Sequence, residues 1–425
     1  MKIVMFEDAD FHLLYPLTYL RPVFELRCGA FTLREKVRNK FPDCALHLET
    51  REVLADVAAE TYGPDAVNGE RRLAPDDDVL LVNAGAILTS PADAYRARER
   101  VATARNGCII WAYLTSGTVG DMAAGSAAEA AARAAERLGT DLCDDILIRY
   151  PWDLITHNPS QIESDFNAAF GPGIEGHLDQ RAAVYGDMEQ LHVGEGARVE
   201  PFVFIDCREG PVVIGPGAVV HAHSSIHGPA FIGRDTRLFE ARIREGTSIG
   251  PACRVGGEVE ESIIHGYSNK YHTGFLGHSY VGEWVNLGAL TANSDLKNDY
   301  GTVTVYLNGQ PADTGSMKVG SFIGDHTKTS IGTLLNTGSV VGIMCILVGG
   351  AGVLPKHIPS FCWYLNGKRS KGMGLGAALD TARAAMKRRG VELTGAMEAL
   401  IKYTEELTRP EKMAQVKRDR KRAFR

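Results

Sequence analysis

The sequence of 425 residues lacks the features that mark membrane proteins and cysteine-based metal sites. It contains no apolar run of about 18 residues, so no membrane-spanning helix is expected. Its eight cysteines are scattered without a C-x-x-C pair, which argues against a cysteine zinc site and favours reduced thiols in a cytoplasmic protein. The first residues lack the long apolar stretch of a signal peptide and predict a strand instead. The net charge of -6 gives no reason to expect nucleic acid as a partner.

A repeated unit organises the middle of the chain, from about residue 184 to about residue 355. A branched aliphatic followed by Gly recurs in phase: Ile232-Gly233 follows Ile214-Gly215 after 18 residues, and Ile249-Gly250 follows after 17 more. A six-residue unit taken three at a time predicts one coil of a parallel β-helix. Each aliphatic would point inward, and each Gly would sit at a corner where a Cβ would clash. An ordinary all-β domain with Gly-rich turns is the alternative.

The repeat is interrupted at residues 297–315, which predicts a loop leaving the coil, and such loops often carry function. After Pro355 the repeat stops, and residues 372–389 and 393–407 predict two helices. These helices are expected to cap the open end of the β-helix. The basic residues at the C-terminus are expected to be solvated or disordered.

The N-terminal third predicts an α/β domain with a largely parallel sheet. Apolar runs at residues 2–6, 79–82 and 108–113 predict strands, and residues 32–40 and 122–138 predict helices. Ligands of such sheets bind beyond the carboxyl ends of the strands. The loops at residues 7–27 and 83–88 are therefore the candidate site.

Residues in these loops resemble the sugar nucleotidyltransferases. That family carries a P-L-T-x-x-R-P-K run, and this sequence has residues 16–22, Pro-Leu-Thr-Tyr-Leu-Arg-Pro, then Gly29 before a helix that contains Lys36. The chain departs from the family at three places. Residues 7–12 replace the Gly-rich loop, Val23 replaces a Lys, and Asn83-Ala84-Gly85 stands where the family has a metal-binding Asp.

The resemblance implies transfer of a nucleotidyl group from a nucleoside triphosphate to a sugar 1-phosphate, with Mg²⁺. The implied nucleotide-binding residues are Asp8, Arg21, Arg27, Lys36 and Asn83. Asp8 and Asp10 are the implied metal ligands, although both are equally explained as solvated loop residues. A domain that keeps the fold without the chemistry is the alternative.

A polar stretch of the coil, residues 266–297, resembles the acetyltransferase half of the bifunctional N-acetylglucosamine-1-phosphate uridyltransferase/glucosamine-1-phosphate acetyltransferase family. His272 matches the family's catalytic His, and residues 285–289, Val-Asn-Leu-Gly-Ala, match the run that follows. The implied substrate-binding residues are Arg244, Lys270, Asn286, Asp295 and Lys297. Lys328 and Ala351 are the implied contacts to acetyl-CoA.

The chemistry that this resemblance implies is proton removal by His272 as an amine attacks a thioester. His265 and His278 are competing candidates for the base. Glu260-Glu261 stands where the family has a Lys, so a different amine substrate is possible on sequence grounds. His221, His223 and His227 have no carboxylate or Cys at matching spacing and are interpreted as residues on the outside of the coil.

The predicted organisation is a nucleotidyltransferase-like α/β domain with a linker helix at residues 1–170, a left-handed parallel β-helix at 180–360 and a helical tail at 370–425. Two functions of different classes agree with the sequence. One is a sugar-nucleotide biosynthetic enzyme that uses a sugar phosphate, a nucleoside triphosphate and acetyl-CoA. The other is a β-helix oligomerisation scaffold or regulatory protein in which one or both sites are degenerate. The resemblance also implies a homotrimer.

Overall fold

The computed structural model describes residues 1–74, 76–122, 125–350 and 352–422. The described chain divides into two compact units. The first unit contains residues 1–14, 20–26 and 31–150, and the second contains residues 15–19, 27–30 and the chain from Pro151 onward. None of the described helices is both long enough and apolar enough to cross a membrane.

A six-stranded sheet forms the centre of the first unit. Its strands are β1 (Lys2–Phe6), β2 (Ala45–Glu49), β3 (Val79–Asn83), β4 (Arg100–Thr103), β5 (Ile109–Leu114) and β6 (Asp141–Leu142). The order across the sheet is β2-β1-β3-β5-β4-β6, and β5 runs opposite to the other five strands. Phe6 pairs with Asn83, so the carboxyl ends of β1 and β3 lie side by side as expected.

Four helices accompany this sheet: α1 (Leu33–Lys40), α2 (Glu52–Tyr62), α3 (Ser116–Met122) and α4 (Ala127–Leu138). The sequence predicts a single helix at residues 122–138, and the predicted start of this helix is wrong. Ser126 and Glu129 form a capping box, in which each side chain accepts from the other's backbone N–H, so α4 begins at Ala127. Ala residues on one face of α4 are fully buried in the same core as Val4 and Val79, because small side chains allow close packing.

The second unit is dominated by a parallel β-helix. One face is a ladder of ten parallel strands, and the other two faces are built from the strands that follow at each corner. The strands of the ten-stranded face are Gly173–Ile174, Leu191–Val193, Val212–Ile214, Ala230–Ile232, Thr247–Ile249, Ile263–Gly266, Tyr280–Glu283, Ser321–Ile323, Ser339–Val341 and His357–Ile358. The strands of the other faces are His177–Leu178, Ala183–Tyr185, Arg198–Val199, Phe204–Asp206, Val219–Val220, Ser225–His227, Arg237–Ile243, Arg254–Glu260, Asn269–Lys270, Phe275–Gly277, Ala292–Asn293, Lys328–Thr329, Leu334–Leu335, Ile346–Leu347 and Trp363–Leu365.

The repeated aliphatics stack in register inside this coil. Ile214 pairs with Ile232 and Ile232 with Ile249, and all three are fully buried. A Cβ on Gly250 would lie 1.8 Å from the carbonyl oxygen of His265, which explains why only Gly fits at that corner. The predicted architecture is confirmed: an α/β domain, a parallel β-helix and a helical tail. The left-handed turn of the coil stays a prediction.

The coil is interrupted where the sequence predicts a loop. Val281 pairs directly with Ile323. Between them the chain first continues the coil through Ala292–Asn293, which pairs with Leu334–Leu335, and then leaves it as an antiparallel hairpin, Thr304–Leu307 with Gln310–Asp313. Short elements complete the chain: the strands Arg27–Cys28, Phe31–Thr32, Ala86–Ile87, Ile146–Leu147 and Lys368–Ser370.

Helix α5 (Pro151–Asp165), expected as a linker, packs within the second unit beside the coil. Its Asn158 is fully buried and bonds to three partners. Asn158 Oδ1 accepts from the backbone N–H of Gly29 at 2.7 Å and from Ser248 Oγ at 3.1 Å, and its Nδ2 donates to the Gly246 carbonyl at 2.8 Å. This one amide therefore joins α5, residues 27–30 and the coil.

Two helices end the described chain, α6 (Leu375–Lys387) and α7 (Gly395–Arg422). Helix α7 packs on the last strands of the coil. Asp419 accepts two hydrogen bonds from the guanidinium of Arg369, at 2.7 and 2.8 Å, and one from the Arg369 backbone N–H at 2.9 Å. Glu411 lies 2.7 Å from His357 Nε2. The basic C-terminal segment, expected to be solvated or disordered, is helical through Arg422, so disorder is wrong for that part. Its basic side chains Lys417, Arg418, Arg420 and Lys421 are exposed, which agrees with a solvated segment.

Asn158→Ala should lower the free energy of unfolding by about 2–4 kcal/mol, because buried donors and an acceptor lose their partner. The exposed Asn167, next to α5, gives the matched control Asn167→Ala, which should change stability by less than about 0.5 kcal/mol. Urea unfolding followed by circular dichroism measures both. Equal stability of the two variants would contradict the role assigned to Asn158.

Candidate functional sites

An open cavity in the second unit lies at one corner of the coil and has a volume of about 930 Å³. His272, in the turn between Asn269–Lys270 and Phe275–Gly277, lines it together with residues from the following coils and from the end of α6. The lining residues are Arg237, Phe239, Arg254, Tyr267, Asn269, Tyr271, His272, Trp284, Val285, Asn286, Leu287, Gly288, Ala289, Lys328, Thr329, Ser330, Ile331, Ala385, Arg388 and Arg389. The cavity thus unites three predicted site residues: His272, Asn286 and Lys328.

The turn that carries His272 is held by the buried Lys270. Lys270 Nζ donates to the carbonyl of Gly256 at 2.7 Å and to the carbonyl of His272 at 3.2 Å. The His272 side chain itself is exposed. Asn286 is fixed in a similar way, because its Oδ1 accepts from Asn269 Nδ2 at 3.2 Å. Lys270, predicted to bind substrate, therefore acts on the turn through its hydrogen bonds and does not line the cavity.

Lys328 repeats this arrangement further along the coil. Its Nζ donates to the carbonyl of Trp284 at 2.5 Å and to that of His326 at 3.0 Å. Burial lowers the pKa of Lys270 to about 8, and burial lowers the pKa of Lys328 to about 8 as well. Ala351, the other residue predicted to contact acetyl-CoA, lies outside the described residues.

Four arginines make the cavity strongly cationic. Arg237 and Arg254 come from the coil, and Arg388 and Arg389 follow α6. Among the described residues that line the cavity, none is Asp or Glu. The hydrogen bonds of Arg254 go to the backbone carbonyls of residues 235 and 253, and Arg389 Nη2 donates to Asn269 Oδ1 at 2.8 Å.

The arginines repel one another as a consequence. Burial lowers the pKa of Arg254, and the neighbouring charges of Arg389 and Arg237 lower it further. Aromatic pairs also line the cavity: Phe239 stacks on Tyr271 with ring centroids 4.3 Å apart, and Tyr267 stacks on Trp284 at 4.5 Å. Clustered cations with aromatic faces suit a polyanion that has an aromatic ring.

Sequence reasoning missed the arginines and the aromatic pairs, because these residues are far apart along the chain. The Arg388-Arg389 pair before Gly390 is a visible signal of basic charge at a helix end. Nothing in the sequence shows that this helix end reaches the turn of His272.

A second group of predicted residues gathers at a different corner, after the strand Phe275–Gly277. Asp295 Oδ2 lies 2.9 Å from Nδ1 of His278, and Glu261 Oε2 lies 3.3 Å from its Nε2. Burial alone would lower the pKa of His278, but hydrogen bonds to Asp295 and Glu261 outweigh it and raise the pKa to about 9. His278, a competing candidate for the base, is thus held as an imidazolium with both ring nitrogens engaged.

The predicted substrate-binding residues are therefore divided within one chain. Asn286 lies with His272, whereas Asp295 lies with His278, and one strand of the coil separates the two corners. Arg244 pairs with Glu245 at 3.2 Å, and Lys297 pairs with Asp299 at 3.1 Å. His265, the remaining candidate base, is buried with its Nδ1 2.9 Å from the Tyr280 hydroxyl.

In the first unit, the carboxyl ends of β1 and β3 bring Asp8 and Asn83 together. Asn83 Nδ2 donates to Asp8 Oδ2 at 2.8 Å, and its Oδ1 accepts from the N–H of Gly85 at 2.9 Å. Asp8 Oδ1 accepts from the N–H of Asp10 at 2.9 Å, and the Asp10 side chain is paired with Arg149. Two of the predicted nucleotide-binding residues, Asp8 and Asn83, are therefore in contact.

A short helical segment, Ala9–Leu14, occupies the place of the family's Gly-rich loop. Glu7, which precedes it, is buried and accepts from the backbone N–H of Val23 at 2.8 Å and from that of Arg51 at 3.0 Å. Sequence reasoning treated Glu7 only as part of the loop. It ties the loop to residues far along the chain.

The other predicted nucleotide-binding residues have separate surroundings. Arg21 is buried, and its carbonyl accepts from Arg51 Nη2 at 3.2 Å. Lys36 lies half-buried on α1. Arg27 belongs to the second unit, where its N–H donates to the Tyr280 hydroxyl at 2.9 Å and its guanidinium lies 5.7 Å from the ring centre of Phe231.

Comparison with known proteins gives information that is independent of the site geometry. Residues 3–170 match the family model described as sugar nucleotidyl transferase. The bifunctional protein GlmU of Xylella fastidiosa (strain M12) is 27% identical over 202 residues, which cover 47% of this chain and 39% of that protein. The bifunctional sugar-1-phosphate nucleotidylyltransferase/acetyltransferase of Sulfurisphaera tokodaii is 35% identical over 94 residues, covering 22% of this chain and 23% of that protein.

Among solved structures, the UDP-N-acetylglucosamine acyltransferase of Francisella novicida matches with a TM-score of 0.31 and 15% identity, covering 51% of this chain and 74% of that one. The chain spans about two fifths of the length of the GlmU relative named above.

The buried lysines predict how stability depends on pH. The folded chain releases the protons of Lys270 and Lys328 near pH 8, whereas the unfolded chain keeps them to about pH 10.5. Since the unfolded state binds more protons in this window, these lysines should make the free energy of unfolding rise with pH there. Urea unfolding at about pH 7.5 and about pH 9.5 should show a smaller rise for Lys270→Met and Lys328→Met than for the wild type.

The exposed Lys387 of α6 supplies the control Lys387→Met, which should keep the wild-type pH dependence. An unchanged pH dependence in the Lys270 and Lys328 variants would show that neither lysine titrates in the window.

Proposed function

We propose that this sugar nucleotidyltransferase-like chain with a C-terminal β-helix is a transferase of sugar-nucleotide biosynthesis, and that its coil transfers an acetyl group from acetyl-CoA to an amino sugar phosphate. The observation that carries the proposal is the cationic cavity beside His272. It combines a candidate base, aromatic faces and five cationic side chains, with no Asp or Glu among its described lining residues. The relative from Sulfurisphaera tokodaii, whose name includes acetyltransferase, supports the same conclusion.

Coenzyme A fits the chemistry of this cavity. Its phosphates would relieve the mutual repulsion of the four cavity arginines, Arg237, Arg254, Arg388 and Arg389. Its adenine ring would stack on the aromatic pairs. A neutral amine then attacks the thioester carbonyl, the C–N bond forms and the C–S bond breaks. His272 accepts the proton that the amine loses and returns it to the departing thiolate.

We propose that the working form is a homotrimer. His272 and Asn286 lie at one corner of the coil, whereas Asp295 lies at another. An assembly that sets one corner of each chain against a different corner of its neighbour would combine the two groups. Large apolar side chains that are exposed in the single chain, Leu290 and Ile331, support such an interface. The eight free cysteines fit a reducing, cytoplasmic setting.

His272→Gln should lower kcat for release of coenzyme A from acetyl-CoA and glucosamine 1-phosphate by about 100-fold or more, because the base is lost. Arg254→Met should raise KM for acetyl-CoA about tenfold with little change in kcat, because one phosphate contact is lost. A thiol-reactive dye measures both effects.

Arg234→Met is the matched control, because Arg234 is exposed beside Asp235 and does not line the cavity. Its kinetics should equal those of the wild type. Absence of turnover with any amino sugar, in a folded sample whose mass by light scattering is that of three chains, would overturn the acetyltransferase proposal. The coil would then be a scaffold.

A second candidate activity is nucleotidyl transfer to a sugar 1-phosphate in the first unit. The family match of residues 3–170 and the contact between Asp8 and Asn83 favour it. The fit to Mg²⁺ is poor as the residues stand, because both oxygens of Asp8 accept protein hydrogen bonds and Asp10 is paired with Arg149. The metal role of Asp8 and Asp10 therefore stays a prediction.

If this activity is present, the chain should release pyrophosphate from a nucleoside triphosphate and a sugar 1-phosphate, and Asp8→Asn should lower kcat/KM at least about tenfold by disturbing the end of β1. Asp43→Asn, at an exposed position of the same unit, should have no effect. A coupled pyrophosphate assay across the common nucleoside triphosphates makes the test. No release by the folded wild type would leave acetyl transfer as the only proposed activity.

A further inference from the structure

A compact group of side chains that can bind a metal lies at the corner of the coil that carries His278. Glu260, Glu261 and His278 each place one ligand atom within 4.8 Å of the others. Glu260 and Glu261 end one coil, and His278 occupies the corner one coil later. Two carboxylates and an imidazole are a mixed oxygen and nitrogen donor set, which suits Zn²⁺ and related divalent transition metals.

The ring of His278 is oriented as a metal ligand needs it, and a metal ion that binds Nε2 would displace the Nε2 proton to solvent and take the place of the contact with Glu261. Its Nδ1 lies 2.9 Å from Asp295 Oδ2, while its Nε2 faces Glu261 Oε2 at 3.3 Å. In metal sites, a ligating His usually donates its second ring N–H to a carboxylate, which fixes the ring and raises its basicity. Asp295, which is not one of the three ligands, supplies that carboxylate.

Room for further ligands adjoins the group. A cavity of about 230 Å³ is lined by Glu261 and His278 and also by Trp152, Thr156 and Ser316. It is large enough for several water molecules, and it is polar on the side of the ligands. An ion bound to three protein ligands would keep an open position toward this cavity, as non-structural zinc sites do.

One cation already stands near the group. Lys318 Nζ lies 3.4 Å from Glu260 Oε1, and the Lys318 side chain is about half exposed. Long exposed lysines move freely, so this pair contributes little binding energy and can open. Lys318 is therefore a competitor that a metal ion would displace rather than a fixed part of the corner.

We propose that Glu260, Glu261 and His278 form a binding site for a divalent transition metal such as Zn²⁺, with Asp295 as the positioning residue. Small side-chain movements would bring the three donor atoms to Zn–ligand distances of about 2.0–2.2 Å. The ion would join two successive coils. Through Asp295 it would also hold the start of the segment that leaves the coil. Within one chain, the site is separate from the cavity of His272, and only the trimer proposed above would bring the two corners of different chains together.

The test uses the full chain after treatment with a chelator and its removal. Isothermal titration with ZnCl₂ should show one site per chain, and ZnCl₂ should raise the melting temperature. His278→Gln and Glu261→Gln should abolish that site. Asp295→Asn should weaken it about 10- to 100-fold while leaving one site, the effect expected of a positioning residue and not of a ligand. Lys318→Met should bind Zn²⁺ at least as tightly as the wild type.

His221→Gln is the matched control. His221 is also a corner histidine beside a Glu, with Nδ1 3.1 Å from Glu200, but it is not part of a three-ligand group among the described residues. Zn²⁺ binding should be unchanged in this variant. Failure of the folded wild type to bind Zn²⁺ would overturn the proposal, as would equal binding by the wild type and by His278→Gln. If His278→Gln does not fold, Glu260→Gln, at a less buried ligand, gives the same test.

Discussion

The in-register stacking of aliphatic side chains inside the coil is the constraint on which the second unit depends. Ile214, Ile232 and Ile249 pair in parallel and are fully buried, and each coil alone exposes the side chains that the next coil covers. Because the register is fixed, every corner lies at a fixed height above the one before it. The positions of the His272 turn and of the His278 corner both depend on this ladder. Hydrogen bonds from Lys270 to the carbonyls of Gly256 and His272 then hold the His272 turn in place.

Polar groups within the second unit are fixed in place by hydrogen bonds between parts of the chain that are far apart in sequence. Asn158 satisfies Gly29, Gly246 and Ser248 at once, and His278 is held by carboxylates from two further segments. Buried networks of this kind are costly when one member is removed and rigid when all are present.

Much of this architecture could be predicted from the sequence, since it depends on local periodicity. The interval between Ile214 and Ile232 is enough to specify a coil, and the capping residues of α4 explain its start better than its Ala content does. The site was predicted only in part. His272 and Asn286 lie within one coil and are found together, but Arg389 reaches the same cavity from the tail. Such a contact depends on how the tail packs, and no short-range pattern encodes it. For the same reason, the separation of Asp295 from His272 was not foreseen.

The segment that leaves the coil can change in length during evolution without disturbing the coil. Ser279 and Ser321 are 42 residues apart, yet they are joined by a hydrogen bond of 2.8 Å across neighbouring coils. The ends of the segment are equally close, because Val319 donates its N–H to the Asp295 carbonyl at 2.8 Å. Closing a longer loop adds only a small entropic cost, so this hairpin can be lengthened, shortened or exchanged while the ladder keeps its register. Substrate preference can then diverge through insertions at one corner, without selection on the hydrophobic core having to be relaxed.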